Sequence, residues 1–598
     1  MINMERKFYM NSGMDRRKRK KQLKILRNVL IALIPLILIA LLAFRLVTDA
    51  KEMLNDANQL KTDLNSCITF VKEKDTENAE IARLRVDNRL KKIDRTLSSN
   101  VWKAMTHVPV AGKYVKSVNY LIEVANTASE DMLKPALEVM DEYPLEGLKV
   151  GAGFSVTTIN AYLDLLENME PQIVDIAGKL QKVELPAGKT AMLADYSQKL
   201  LSLSEAYKEN GEYLPLFRTF LGDGSDKLYL LAAQNSAEIR ASGGFPGSIG
   251  TIRIEDGVLS IGEFDTVYNV LSEYAPSSAG VTAHERELFT DWVRLSRDAC
   301  YIPDFERVAQ IWALAYERRN DQHIDGVVSL TPAIIQKVLV YTGGITLSDG
   351  TEMNGDNATQ VLQRDLYYKY FNKSTEDSSS NDYVDALFAE TAKVVMAKLV
   401  DDFDVKRIAD YSKIFTDGGK DRTILMWMED ETGQSYIREA GCSGALNYDP
   451  ENPEAGVFFG GSNGSKLGWY AGLDAQIGDS VVNEDGSRTY DVAVTMSNDI
   501  TRSDMRNAGE YIIGLYNGDI DGCLHLFAPA EGTISDIETS NGMAMNYSEY
   551  EGLELAYNIN FTLEPGDVVT INYKVTTAPG VSTPLKISKT PTLQEYRQ

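Results

Sequence analysis

The sequence predicts a multi-domain α+β chain made of a transmembrane helix, a helical stalk or bundle, a layered α/β domain and a C-terminal antiparallel β-sandwich. Three observations carry this. An apolar stretch of 23 residues runs from Ile25 to Val47, long enough to span a bilayer if Arg27 and Arg45 reach opposite interfaces. Leu46 to Val108 holds neither glycine nor proline and repeats its apolar residues at spacings of three and four, the helical period. Beyond Gly441 the period turns to two, as in strands with one buried face. At 598 residues the chain exceeds what one hydrophobic core supports. The expected parts are a basic tail at 1–24, a membrane span at 25–47, a helical region at 48–222, an α/β domain at 223–440 and the sandwich at 441–598.

Charge sets the topology. Met1 to Asn28 holds ten Lys/Arg against two Asp/Glu, and the remaining 51 against 84 give the rest a net charge of −33. Positive residues before the apolar run place the amino end in the cytoplasm and the bulk of the chain outside, so the expected location is a single-pass cell membrane protein. A cleaved signal peptide is the rival, with Thr48 and Ala50 as its weak cleavage site, but the run is longer than a usual signal-peptide core. An acidic body repels nucleic acid, and that class of partner is set aside. Cys67, Cys300, Cys442 and Cys523 are too few and scattered for a disulfide framework; Cys442 with Cys523 is the pair to consider.

After the anchor, Leu54, Ala57, Leu60, Leu64, Ile68 and Val71 form one helical stripe, continued by Ile81, Leu84, Leu90, Ile93 and Leu97. Further helices are expected at 114–143, 160–183 and 194–221. A bundle burying this stripe is the expectation, over a coiled-coil surface for a partner. From Lys227 short strands alternate with helices. Leu228–Ala233 and Gly250–Ile254 read as strands, with Val258–Ile261 returning after a Glu255-Asp256-Gly257 turn. Helical segments follow at 285–295 and 304–319, a strand at Gly326–Leu330, and a helix from Pro332 to the Gly343-Gly344 stop. Two more helices are expected at 357–371 and 383–400, with a polar loop at 374–381. In the sandwich, Val492, Val494 and Met496 share a face, as do Val569, Ile571, Tyr573 and Val575.

The stretch between the first two strands reads as a site, because Gln234, Asn235, Glu238 and Arg240 precede Gly243, Gly244, Gly247 and Gly250. Glycines let backbone amides approach an anion, and Arg240 would add a two-pronged guanidinium contact to a phosphate or carboxylate. The structural alternative is that Glu238 or another acid pairs Arg240 while the glycines turn a corner. Neither a dinucleotide-binding nor a P-loop pattern fits, since both need a helix directly after the glycines. Gly247-Ser248-Ile249-Gly250 lacks the first glycine of a nucleophile elbow, which is Pro246 here. The four histidines, His107, His284, His323 and His525, lie too far apart for a zinc motif. Asn517 to Gly522 imitates the start of an EF-hand loop, but Ala528 stands where the bidentate glutamate belongs, so a hairpin turn is expected.

The run QNSAEIRASGGFPGS resembles the hallmark segment of the bacterial family of domain of unknown function 4012. Tyr301-Ile-Pro-Asp-Phe305, Ile324-Asp-Gly-Val327, Tyr341 to Gly344, Gln434 before Gly441 to Gly444, and Asn463 to Lys466 fit the same pattern in order. That resemblance implies a membrane-anchored bacterial surface protein. The same segment, with IDGVVSLTPAIIQKVLVYTGGI, also looks like the LytR-CpsA-Psr family, which transfers polyprenyl-pyrophosphate-linked glycopolymers to the cell wall. This second resemblance implies that Arg240 and Arg364 hold a pyrophosphate and that Asp265 helps bind magnesium, Mg2+. The chain departs from it with Ser242 where the family carries aspartate, Phe264 where it carries arginine, and a later arginine cluster thinned to Arg364, Lys369 and Lys373. The expectation is an envelope protein that binds or handles an anionic glycopolymer or lipid-linked precursor. An active metal-assisted glycopolymer phosphotransferase and a structural or adhesive surface protein are the alternatives.

Overall fold

A computed structural model describes residues 51–598 apart from 100–101, 104–105, 152, 185–189, 212–213, 373, 375–378, 402–406, 516 and 598. The expected membrane span lies outside these residues, and among the described residues no helix is long and apolar enough to cross a membrane. The chain is mixed α+β and divides into two compact units.

The first unit runs to Leu214 with small additions at 256–259 and 404–409. Helices α1 (Lys51–Glu73) and α2 (Thr76–Leu97) form an antiparallel hairpin. Lys74, at φ +62°, turns the chain, and the Asp75 carboxylate caps α2 by accepting the Asn78 amide at 3.0 Å. Leu60, Leu64, Ile68 and Val71 bury against Ala79, Ala82, Val86, Leu90, Ile93 and Leu97, so the stripe closes on its own bundle. Ile81 and Leu84 depart from expectation and are exposed. Each lies two residues, or about 200° around the helix, from the buried Ala79 and Ala82. Helix α3 (Ala111–Asn126) continues through a π-turn at Thr127–Leu133, and α4 (Val156–Gln181) follows. The helix expected over 194–221 is two, Thr190–Gly211 and Leu214–Phe220.

The second unit comprises 215–255, 260–403 and 410–598. Its central sheet is built on β1 (Lys227–Asn235), which pairs antiparallel with β2 (Phe245–Glu255) and parallel with β3 (Gly326–Leu330); β4 (Ile424–Met428) closes the other side of β3. Strands β1 and β2 are longer than expected. Gln234 and Asn235 therefore belong to β1, and Gly247 lies inside β2 with Gly250 instead of in the loop. At Gly250 a Cβ would stand 3.1 Å from the Phe264 ring, so that glycine admits an aromatic side chain against the strand. The helices at Phe305–Asn320 and Pro332–Thr342 follow expectation, the latter ending at Gly343 with φ +80°. Helix Ala283–Leu288 and a 3-10 turn at Asp291–Arg294 replace the single segment read at 285–295.

The C-terminal strands form two stacked sheets. Strands β5 (Glu454–Gly461), β8 (Ile520–Phe527), β10 (Asn546–Tyr550), β11 (Leu553–Leu563) and β13 (Lys586–Lys589) make one; β6 (Ala471–Val482), β7 (Arg488–Asn498), β9 (Thr533–Thr539) and β12 (Val568–Thr576) make the other. All pairs are antiparallel except β5 with β13. Asn517, at φ +52°, leads from a short helix into β8, so its loop is not a hairpin turn. Side chains alternate across a strand, and both faces of the five-stranded sheet are buried. Phe459, Leu524 and Leu526 pack with Val494 and Ile571 of the second sheet, whereas Phe458, Cys523 and Phe527 pack with Tyr301, Phe305 and Trp312. The segments 223–440 and 441–598 thus share a core. All four cysteines are buried free thiols; those of Cys442 and Cys523 sit against the Phe415 and Gly460 carbonyls respectively.

Candidate functional site

The loop joining β1 to β2, residues 236–244, runs along the edge of the sandwich and is held by backbone pairing. Gly461 N donates to Ile239 O at 3.0 Å and Gly468 N to Ala237 O at 2.8 Å. Thr590 Oγ1 donates to Ala241 O at 3.2 Å, and the Tyr301 hydroxyl to Gly461 O at 2.8 Å. Buried backbone groups need partners, and here the sandwich supplies them.

Most of the expected site residues serve this seam. Gln234 accepts from the Ser329 hydroxyl at 2.8 Å and donates to Gly244 O at 3.0 Å. Asn235 donates to the Tyr367 hydroxyl at 2.6 Å and accepts the Ala237 amide at 3.0 Å. Gly243 has φ +123°, and a Cβ there would stand 2.8 Å from Gln234 Oε1; at Gly244 it would stand 2.5 Å from Asn235 O. The amides of Ser242, Gly243 and Phe245 donate to the carbonyls of Cys300, Arg240 and Glu238. Of the four glycines expected to offer amides to an anion, Gly243 thus has its amide bonded within the protein, as do Ser242 and Phe245 beside it.

Glu238 does not pair Arg240. Its carboxylate makes an ion pair with Lys466, whose ammonium lies 4.9 Å from the Tyr367 ring centre and 4.6 Å from that of Tyr511. Burial opposes the charge on Lys466, which is 4% exposed, but Glu238 and the two tyrosines outweigh it and raise its pKa. Local pattern could not show this pair, which joins the hallmark segment to Asn463–Lys466 across the unit.

Arg240 is 5% exposed. Its guanidinium carbon lies 4.6 Å from the Tyr301 ring centre and 5.6 Å from that of Phe245, and Nη1 donates to Ile239 O at 3.0 Å. Nε has no hydrogen-bond partner, and among the described residues no carboxylate oxygen lies within 4.0 Å of its nitrogens. Burial works against the charge, yet Tyr301, Cys300, Asp298 and Glu238 around it raise the pKa. Asp298 itself contacts Arg297 at 3.4 Å.

The other expected ligands stand apart from Arg240. Arg364, on a π-turn at Val361–Asp365, pairs with Asp365 at 2.8 Å and Asp504 at 3.1 Å and lies over the Tyr368 ring. Asp265 is exposed on a two-residue strand, and its carboxylate accepts the Asn269 side chain at 2.9 Å and the Thr266 amide at 2.7 Å, which lower its pKa. Among the described residues no group of three His, Cys, Asp or Glu could hold a metal ion. Ser242 is fully buried and donates to Cys300 O at 3.2 Å. An open depression of about 450 Å³ lies elsewhere, lined by Gln336, Lys337, Asp417, Lys420, Asp421, Glu595 and Tyr596.

Sequence reasoning missed Arg422. This buried arginine donates to Pro303 O at 2.7 Å and Gly444 O at 3.0 Å and lies over Phe458; burial lowers its pKa to about 10. Its signal was the Tyr301–Phe305 and Gly441–Gly444 pieces, whose carbonyls it ties together.

These contacts join the pieces that suggested a family. A family model described as protein of unknown function (DUF4012) matches residues 224–367. That segment is a DUF4012 region. No curated protein and no solved structure matches the chain. Within the DUF4012 region, Asp325 accepts the Leu228 amide at 2.8 Å and Lys227 Nζ at 2.8 Å, joining the IDGV piece to β1. Beyond it, Gln434 Oε1 accepts the Met428 amide at 2.8 Å.

Proposed function

We propose that the protein is a single-pass, extracytoplasmic protein of the bacterial cell envelope that binds an anionic glycopolymer or lipid-linked precursor, with Arg240 as the contact. The observation that carries this is the buried Arg240 guanidinium. Removing a charge from water is costly unless a counter-ion compensates, and arginine does not shed its proton. Arg240 touches two rings and one carbonyl and has an unpartnered Nε, and Asp298 and Glu238 act on it without direct contact, so a ligand anion would supply the direct partner it lacks. The membrane anchor rests on the basic tail and the 25–47 run.

Binding without transfer is the preferred form of this reading. Phosphoryl transfer depends on several positive charges converging on the transition state. Arg364 is already paired by two carboxylates, and no described contact links Arg240, Arg364 and Asp265. The structural or adhesive reading is supported by a separate observation, the use of Gln234, Asn235 and Glu238 as internal fasteners.

Incubation of the membrane-embedded chain with a labelled lipid-linked glycan and magnesium distinguishes the three. Retention of label without product supports binding; released product establishes transfer; no retention at millimolar ligand leaves the structural reading.

A further inference from the structure

We infer that the basic, valine-tipped end of the helical unit, residues 88–117, lies against the outer leaflet of the membrane that anchors the chain. The inference rests on 25–47 being a membrane span. Within the first unit, Lys92 approaches Asp56 at 3.7 Å, Arg89 pairs with Asp63 at 2.5 Å, and the Cys67 thiol donates to Ala79 O at 3.3 Å. Carried five residues further each way, that register sets Lys51, the start of α1, level with Leu97, the end of α2. The hairpin leaves for 23 residues, about 35 Å at 1.5 Å per residue, and returns over 22. Only Thr48, Asp49 and Ala50 separate Lys51 from the apolar run, and three residues reach about 10 Å at most. The end of α2 is therefore brought back toward the bilayer.

What the chain places there suits a lipid surface. Between Asn88 and Ile122 there are seven Lys/Arg against the single acid Asp94, in a chain whose part after Asn28 is otherwise strongly acidic. Lys91, Lys92, Arg95, Lys103, Lys113 and Lys116 are exposed, with Lys91, Lys92 and Lys113 within 3.7 Å of Glu130, Asp56 and Glu184 respectively. The tip between α2 and α3 is Val108-Pro109-Val110, with Val108 42% and Val110 71% exposed. Val110 sits at φ +67°, a conformation β-branched residues avoid, so the apolar side chain is presented to solvent at a conformational cost. Trp102 buries into the bundle core and fixes the segment from beneath. Apolar tips flanked by lysines insert at the headgroup boundary, and the lysines attract anionic lipid. The bilayer fits this end by both position and charge.

The four native cysteines are buried, so a cysteine introduced at Val110 can be labelled selectively. The test places an environment-sensitive fluorophore on Val110→Cys in the full chain, reconstituted in nanodiscs of phosphatidylglycerol that contain nitroxide-bearing lipid. Glu77→Cys, at the far end of the hairpin, is the reference. The inference expects several-fold stronger quenching at position 110 than at 77, reduced by Lys113→Glu with Lys116→Glu. Equal quenching overturns it. Quenching at 110 that ignores charge reversal overturns the electrostatic half. Alkaline carbonate extraction separates the two failures: release of the chain from membranes sinks the anchor and this inference together, whereas a retained chain with a silent position 110 sinks the inference alone.

Discussion

Four bases buried in the second unit solve the same problem differently. Lys466 keeps its charge and takes a carboxylate, Glu238, with two tyrosine rings. His525 gives up its charge: burial drives its pKa down to about 4 against a weaker opposing effect of the Leu288 carbonyl, 2.8 Å from Nε2. Arg240 does neither. It stays charged with rings and one carbonyl in contact, while Asp298 and Glu238 act on it only from beyond ion-pair distance. Arg422 is intermediate, with two carbonyl acceptors and one ring. The contrast separates charges that fasten the fold from a charge that no carboxylate contacts directly, and it assigns most of the hallmark segment to the first class.

The largest effect is expected where that fastening is cut on one side. Glu238→Gln leaves Lys466 buried with its charge uncompensated and should cost about 3–5 kcal/mol in urea unfolding. A loss below about 1 kcal/mol would mean that Lys466 does not depend on its partner.

His525 comes next. Its folded pKa lies below the unfolded value of 6.5, so the unfolded chain binds the proton first. Its contribution is complete above pH 6.5 and is lost as pH falls toward about 4, amounting to about 3 kcal/mol. His525→Gln should flatten that part of the stability–pH curve, and an unchanged curve would show that the imidazole is not the group responsible.

Gly244→Ala forces a Cβ to within 2.5 Å of Asn235 O and should lower stability by about 1–3 kcal/mol, seen as a lower Tm. Smallest of all, Arg240→Gln orphans no carboxylate. It loses ring contacts and removes a buried charge together, so unfolding free energy should change by about 1 kcal/mol or less. A loss as large as that of Glu238→Gln would move Arg240 into the fastening class.

Local patterns were readable wherever a short stretch decides its own structure. Gly326–Leu330 is a strand at the expected residues, and Pro332 and Gly343 bound their helix as proline and glycine do. Helical period revealed the Leu60–Val71 stripe, but not the turn at Lys74 that resets the buried face and exposes Ile81 and Leu84. Arg240 stood out by its glycine neighbours. Its surroundings did not, because Tyr301 and the pairing of Glu238 with Lys466 depend on long-range packing. Gly247 read as a loop residue because glycine marks turns more often than strands. The sandwich was visible from alternation, yet nothing local indicated that both faces of its five-stranded sheet would be covered.

The most direct test of the contrast is thermal unfolding of the full chain with and without a prenyl pyrophosphate and magnesium, in wild type and Arg240→Gln. A ligand that binds only the folded state stabilises it, by about 2.7 kcal/mol at roughly 100 times its Kd. The account predicts a ligand-dependent rise in Tm for the wild type and none for Arg240→Gln, with the two proteins alike in its absence. No rise in the wild type at millimolar ligand, or an equal rise in both, would contradict Arg240 as the anion contact.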